Sequence, residues 1–366
     1  AAGNAGLYFY GQGIDSIYTW DNVYWLEVGP GTLMGTVAET PPAAVPMATF
    51  TETVHAEENQ SLVIGLFDDP EADYWTWDAL VAQNATHGRK SFEIQSPGAS
   101  QTGGTTLTPY LLGESSSGSG ADHHAQFLLN GTLIGETTWV GAVPHEVTLS
   151  FDSTLLLDGA NTVEVVALLD TGVPYSIFHV DSFDLSYRRN YEAAGNRLEF
   201  PSPNAAVATV YGFSVPSVMI FDISNPLRPA RIVSNTVELF EGAYRVTLTP
   251  RATDVPYLGT TTTAVPRATT LVVDTPSALN GANAANYVIV TTAALSSSAG
   301  VLAAYRQAQG LLPMVIDIED VYDEFNYGVA SPHVLRDFLA YAYAHWSPAP
   351  HYVVLAGAGA IIYAQR

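Results

Sequence analysis

The sequence predicts a multidomain chain. An all-β part, made of a jelly-roll-like β-sandwich and a second β region, is followed by an α/β parallel-sheet subdomain. Three observations carry this. Between residues 48 and 190, short alternating runs recur between turn signals, as in a two-sheet sandwich. From Asn286 onward, strand-like words alternate with helical stretches, the sign of βαβ units. The length of 366 residues suits about two to three domains at roughly 150 residues each.

Residues 1–47 contain Leu7-Tyr-Phe-Tyr-Gly-Gln-Gly13 and Tyr18-Thr-Trp-Asp-Asn-Val-Tyr-Trp-Leu26. Their aromatic and β-branched content predicts two strands around a Gly-containing turn. Such a pair cannot hold a core alone. It is read as the tail of a preceding domain or as a hairpin docked on the next one. Thr40-Pro-Pro-Ala-Ala-Val-Pro46 is a stiff connector.

Residues 48–190 are expected to form the sandwich, with strands at 48–54, 89–94, 105–112, 124–129, 146–151, 162–169 and 178–187. Asn130-Gly131 and Asp158-Gly159 supply turns. Residues 196–275 form the second β region, with strands at 218–222, 230–233, 237–240 and 244–248. Residues 253–270, rich in Thr and Pro, read as a loop or an edge crossing.

Residues 286–366 are the α/β subdomain. Its strands are Tyr287–Thr292, Met314–Ile318 and Tyr352–Leu355. The helix at 297–309 closes on Gly310, which suits a C-cap. The helix that ends near Trp346 begins with Ser331 as N-cap and Pro332 in its first turn. The chain stops at Arg366, soon after the third strand, which reads as truncation or nicking. It begins Ala1-Ala2-Gly3, so a leader peptide is expected to be removed or absent from this sequence.

Composition excludes several functions. Lys+Arg number 13 and Asp+Glu 36, for a formal net charge of −23. Such a surface repels nucleic acid and anionic membranes. No apolar run approaches the ~20 residues of a membrane span. Cysteine is absent, which removes disulfides, thiolate metal sites and any thiol nucleophile within this chain. The many Tyr and Gly and few Lys point to an extracellular or cell-surface location.

Two acidic clusters are the candidate metal ligands. Asp68, Asp69, Glu71 and Asp73 sit together on a loop, and Asp317 and Asp320 lie at the end of the second α/β strand and just beyond it, beside Glu319, Asp323 and Glu324. Carboxylates at alternating positions can wrap Ca²⁺, although no EF-hand pattern is present. The alternative readings are a solvated acidic turn and a dipole-stabilised helix N-terminus. Tyr74, Trp75, Trp77 and Trp139 are candidate glycan-contact residues, through ring stacking on the sandwich; core or inter-domain packing is the alternative. His123 and His124 are adjacent, so in a strand they face opposite ways and suit packing better than shared metal ligation. His333, His345 and His351 read as solvated or capping histidines.

The ordered words of the last region are Tyr287–Thr291, Arg306/Gln309/Gly310, Val321–Phe325, Tyr327-Gly328, Arg336–Leu339, Tyr341–Tyr343, Trp346 and Tyr352–Leu355. Upstream come Phe9-Tyr-Gly11, Asn22-Val-Tyr-Trp25, Tyr74-Trp-Thr-Trp77, Asn130-Gly131, Asn161-Thr162, Pro174-Tyr-Ser176 and Asp222-Ile-Ser-Asn-Pro226. Together they resemble the gingipain-like family of cysteine peptidases across most of the chain. The resemblance implies a caspase-like catalytic fold and protein substrates. It also implies an exported protein whose base His and nucleophile Cys lie beyond the third strand. Neither role falls on a residue of this chain, so no catalytic residue is assigned here. One position departs: the family commonly has Gly-Asp-Gly or Gly-Asp-Ala after the third strand, where this sequence has Gly357-Ala358-Gly359. The expected function is therefore a portion of an exported cysteine endopeptidase. The alternative is a non-catalytic surface, adhesion or assembly protein, with glycan contact through the sandwich.

Overall fold

The computed structural model describes residues 7–14, 16–38, 48–66, 72–118, 120–202, 207–249, 255–268 and 270–357. Among these, residues 7–10 and 33–267 form one compact unit, and residues 11–32 and 268–357 form a second.

In the first unit, the sandwich pairs two sheets. One runs in the order Pro144–Glu146, Gly104–Gly113, Ile177–Asn190, Thr49–Glu57, with Leu149–Asp152 and Asp78–Val81 as added strands. The other runs Arg89–Ser96, Gly159–Leu168, His123–Leu129, Thr132–Trp139. Period-2 sequence sets the faces: burial alternates strictly along His123–Leu129. Its inward Ala125, Phe127 and Leu129 meet Phe178, Val180, Phe183 and Leu185 of the opposite sheet in one core. Asn130 (φ 49°) and Gly131 (φ 83°) both take the left-handed backbone of a tight hairpin turn, which sets the Leu129↔Thr132 register. The all-β architecture expected for 48–190 is the one observed.

The second β region has its own core, built from Phe200, Val210, Phe213, Ile220, Ile232, Val246 and Tyr257, joined by Phe50 and Tyr191. Its larger sheet runs Gly35–Val37, Ala230–Ile232, Val218–Asp222, Pro256–Thr261, Arg197–Pro201. Here the structure corrects the sequence reading. Pro256–Thr261 is an internal strand with five consecutive buried residues, not a loop. Tyr257 and Thr261 are fully buried, and Gly259 lets Ile220 and Phe213 close over the backbone. The Thr-rich composition that suggested a loop equally suits a strand packed on both faces.

The segment before residue 38 also differs from expectation. Gly35–Val37 is the only strand among the described residues there, and the two strands expected over 7–26 are absent. The aromatic side chains of 18–25 dock singly instead. Tyr18 packs edge-on to His333 at 5.7 Å, and Trp25 Nε1 donates to the Tyr327 carbonyl at 2.9 Å.

The second unit holds a parallel sheet of β1 (Tyr287–Thr291), β2 (Pro313–Asp317) and β3 (Tyr352–Ala356), in the order β2-β1-β3. All five residues of β1 are buried, as a central parallel strand requires. Tyr287 and Ile289 face helix α1 (Ser296–Ala308) through Ala299 and Leu302. Val288 and Val290 face α2 (Ile318–Asn326) and α3 (Pro332–His345). On that side Phe338 is fully buried, with Phe325 at 5.5 Å and Trp346 at 5.7 Å. Burying such a ring contributes about 2–3 kcal/mol. The helix ends follow local chemistry: Asp317 accepts from Glu319 N, and Ser331 accepts from His333 N ahead of Pro332. Tyr327 takes the left-handed C-cap of α2, and Gly310 (φ 85°) follows α1.

Candidate functional site

In the β2-β1-β3 order, the chain leaves β1 for β2 on one side and returns to β3 on the other. The strand order therefore reverses at β1, and ligand crevices in open α/β sheets lie at the carboxyl ends of such strands. The terminal row across this edge is Asp317, Thr291 and Ala356, paired in register. Thr291 is 3% exposed, and its hydroxyl donates to the Ala356 carbonyl at 2.9 Å. Gly357 follows directly, while Ala358 and Gly359 lie outside the described residues. His351 sits at the amino end of β3, away from this edge, and His345 packs on Tyr341 at 4.4 Å. The chain has no cysteine, so it supplies no thiol to this edge.

Beside α2 is a small cavity of about 130 Å³ lined by Trp25, Asp274, Pro276, Ser277, Asp320, Asp323 and Glu324. Burial, then the neighbouring Asp317, Glu324 and Asp274, push Asp320 above the usual carboxylate range. Burial and Asp274 do the same to Asp323. For Glu324, burial pushes upward, but hydrogen bonds from Ser277, Leu279 N and Asn280 N hold it below its ordinary value. Asp317 does not join this cavity; its carboxylate is committed to capping α2. Among the described residues, no group of three or more His, Asp or Glu is arranged to hold a metal ion. Asp317 thus caps α2, while Asp320 lines the acidic pocket. Asp323 and Glu324 of the same helix complete that pocket, with Asp274 and Ser277 entering from an earlier segment.

In the sandwich unit, Asp68, Asp69 and Glu71 lie outside the described residues. Asp73 lines a cleft of about 450 Å³ with Tyr110, Leu112, Pro144, His145, Glu146 and Asp181. Asp181 is pushed up to about 6, by burial first and then by Glu57 and Asp73. Next to it, His55 Nδ1 is 2.7 Å from Asp184 Oδ1, and Tyr110 donates to Asp184 Oδ2 at 3.0 Å. These residues come from different strands, and no sequence spacing announces them.

Of the candidate glycan-contact residues Tyr74, Trp75, Trp77 and Trp139, three are buried, as the packing reading has it. Tyr74, Trp77 and Trp139 are each under 9% exposed, and only Trp75 is half-buried. Trp77 packs edge-on against Phe92 at 5.2 Å and Phe183 at 5.9 Å. Trp139 lies against Phe178 at 5.1 Å and stacks on His145 at 4.8 Å. Apolar ring area is worth most in the core, so these rings build the sandwich rather than its surface.

Comparison with known proteins places the second unit. Residues 280–365 match the model of peptidase family C25. The fold matches the crystal structure of dimeric latent PorU from Porphyromonas gingivalis, with a TM-score of 0.61 at 16% identity, over 84% of this chain and 29% of the PorU chain. The chain therefore spans under a third of that protein's length. A carbohydrate-binding module (CBM36-1) of a xylanase from the hindgut metagenome of Trinervitermes trinervoides aligns over 37% of this chain and 96% of its own, at 16% identity and a TM-score of 0.24. No curated protein matches the sequence. Residues 280–365 thus match the model of peptidase family C25, and the chain shares the fold of part of PorU.

Proposed function

We propose that this chain is part of an exported gingipain-like cysteine endopeptidase acting on protein substrates. It supplies the upstream β regions and the first portion of the catalytic α/β unit, and the base His and nucleophile Cys come from outside this sequence. The observation that carries the reading is the C25 match over 280–365, on a parallel sheet whose strand order reverses at β1. The absence of cysteine agrees with a nucleophile supplied elsewhere. Intact mass and C-terminal peptide mapping of the native protein, with labelling by a thiol-reactive peptidase probe, test it. The expected result is a mass well above 39.1 kDa, peptides beyond Arg366 that include Cys, and a labelled species. Labelling of the purified 366-residue chain itself would sink the assignment of the nucleophile.

A second reading is a non-catalytic surface or assembly protein on the same scaffold. It is favoured by Ala358, which stands where the family resemblance leads one to expect Asp. A native protein with Arg366 as its terminus and no co-purifying partner chain would support this second reading.

A further inference from the structure

We propose that the cleft of the sandwich unit binds a basic side chain, lysine or arginine, carried by an extended segment of a partner protein. The inference does not depend on the peptidase reading. It starts from a break in strand pairing. Val180 pairs with Leu111 and Ser182 with Tyr110, so Asp181 stands between them opposite no residue of Gly104–Gly113. Such an extra residue is a β-bulge, which re-aims a side chain. Here it brings the Asp181 carboxyl to the cleft of about 450 Å³ that Asp73 and Glu146 reach from two other segments. No Lys or Arg is among the described residues that line this cleft. Burial holds its His145 towards the neutral form, with Nε2 at 2.8 Å from Thr137 Oγ1. The nearby His55 is already taken by Asp184 at 2.7 Å and Glu57 at 3.2 Å. Among the described residues Asp181 makes no ion pair; it accepts one hydrogen bond, from the Ser182 hydroxyl at 3.3 Å. Burial, Glu57 and Asp73 all oppose its ionised form, and an incoming cation would offset them. The rest of the wall is apolar, through Tyr110, Leu112 and Pro144. The Tyr110 ring is fixed, because its hydroxyl donates to Asp184 at 3.0 Å. Such a wall ending in carboxylates suits a long side chain whose methylenes lie on the wall while its charged head reaches the acids. Clefts of this size with apolar walls and a few convergent polar groups are where ligands bind. A bare metal ion would leave the apolar wall unused, and among the described residues no group of three or more His, Asp or Glu is arranged to hold one. A neutral sugar would leave the charge uncompensated.

The test titrates the 366-residue chain with acetyl-Gly-Lys-Gly-amide and acetyl-Gly-Arg-Gly-amide, and with acetyl-Gly-Gln-Gly-amide as the neutral match, and follows backbone amide shifts by NMR. Physiological ionic strength keeps the net charge of −23 from gathering cations indiscriminately. The basic peptides are expected to shift the amides of 110–112, 145–146 and 181, and the Gln peptide to leave them in place. Asp181→Asn keeps the shape and removes the charge. It is expected to weaken binding by roughly tenfold or more, the factor that a hydrogen bond to a charged group implies. Glu93→Gln, at an exposed position of the opposite sheet, is expected to change nothing. Equal shifts with the Gln peptide, shifts confined to other surfaces, or unchanged affinity in Asp181→Asn would overturn the proposal. So would displacement of the peptides by stoichiometric CaCl2, which would make the cleft a metal site. Tighter binding of xylotriose than of the Lys peptide would overturn it too, in favour of a sugar site. Should Asp181→Asn fail to fold, the comparison of Lys and Gln peptides on the wild-type chain decides alone. The readout is binding, so the outcome of thiol labelling leaves it untouched.

Discussion

His123 Nδ1 lies 2.8 Å from Ser176 Oγ in the sandwich interior, while His123 Nε2 faces the Ser115 carbonyl oxygen at 3.0 Å. A carbonyl oxygen only accepts, so Nε2 carries the proton and Nδ1 accepts from the Ser176 hydroxyl. The ring is neutral and fully buried, and burial pushes its pKa down.

The sign of the pH dependence follows. The unfolded chain takes up a proton at His123 near its ordinary value of about 6.5, and the native state resists it. Stability from this site is present above about pH 6.5 and is lost as pH falls towards the lowered native value. His145, also pushed down by burial, adds in the same direction, whereas His55, raised overall by Asp184 and Glu57 against the lowering effect of burial, opposes it. The measurement is the urea stability of wild type minus that of His123→Gln, from pH 8 to 5. This difference is expected to shrink by about 1 kcal/mol per pH unit below pH 6.5. A difference independent of pH would refute a neutral buried ring.

Asp181 has the opposite sign. Its carboxyl, raised to about 6 by burial, Glu57 and Asp73, binds a proton more tightly in the native state than in the unfolded one. Its contribution is fully favourable below the unfolded carboxylate value and is lost as pH rises through 6. Asp181→Asn is expected to stabilise the protein at pH 8 by roughly 1–2 kcal/mol, an advantage that disappears by about pH 4. Thermal melts at the two pH values check it; a destabilised variant at pH 8 would mean that the carboxylate is favourably paired.

Gly113 tests how closely the sandwich is packed at its aromatic end. An added Cβ would collide with the Gly141 carbonyl oxygen and come within 2.8 Å of His123 Nε2 and 3.1 Å of Trp139 Nε1. Backbone cannot yield as a flexible side chain does, so Gly113→Ala is expected to cost about 3 kcal/mol or more. At Gly104, in the same strand, a Cβ meets open space, and Gly104→Ala should stay within about 1 kcal/mol of wild type. Equal denaturant midpoints for the two variants would show that the Gly141 loop gives way.

The parts of the fold that were legible in the sequence are those written in local chemistry. Ser331-Pro332 opens α3, Gly310 follows α1, and Asn130-Gly131 turns a hairpin, each where the residues indicated. The change from alternation to strand–helix repeats after Asn286 is also seen in the order of elements. What misled is what depends on the partner across space. Tyr18 and Trp25 look like strand residues, but their stabilisation comes from His333 and the Tyr327 carbonyl, some 300 residues away. Trp77 and Trp139 look like a sugar platform until the opposite sheet covers them. The acidic run near Asp317 was visible, but its division of labour was not, because Asp274 and Ser277 enter the pocket from outside the run.

The order β2-β1-β3 also bears on how this unit is made. Thr291 at the end of β1 meets its β3 partner Ala356 65 residues further along the chain. During synthesis at about 5–20 residues per second, β1 waits several seconds for that partner. Throughout that interval Tyr287-Val-Ile-Val-Thr291, apolar at its three central residues, is without one of its two neighbours. A pause in translation before Tyr352 would lengthen the time for which this edge stays unpaired.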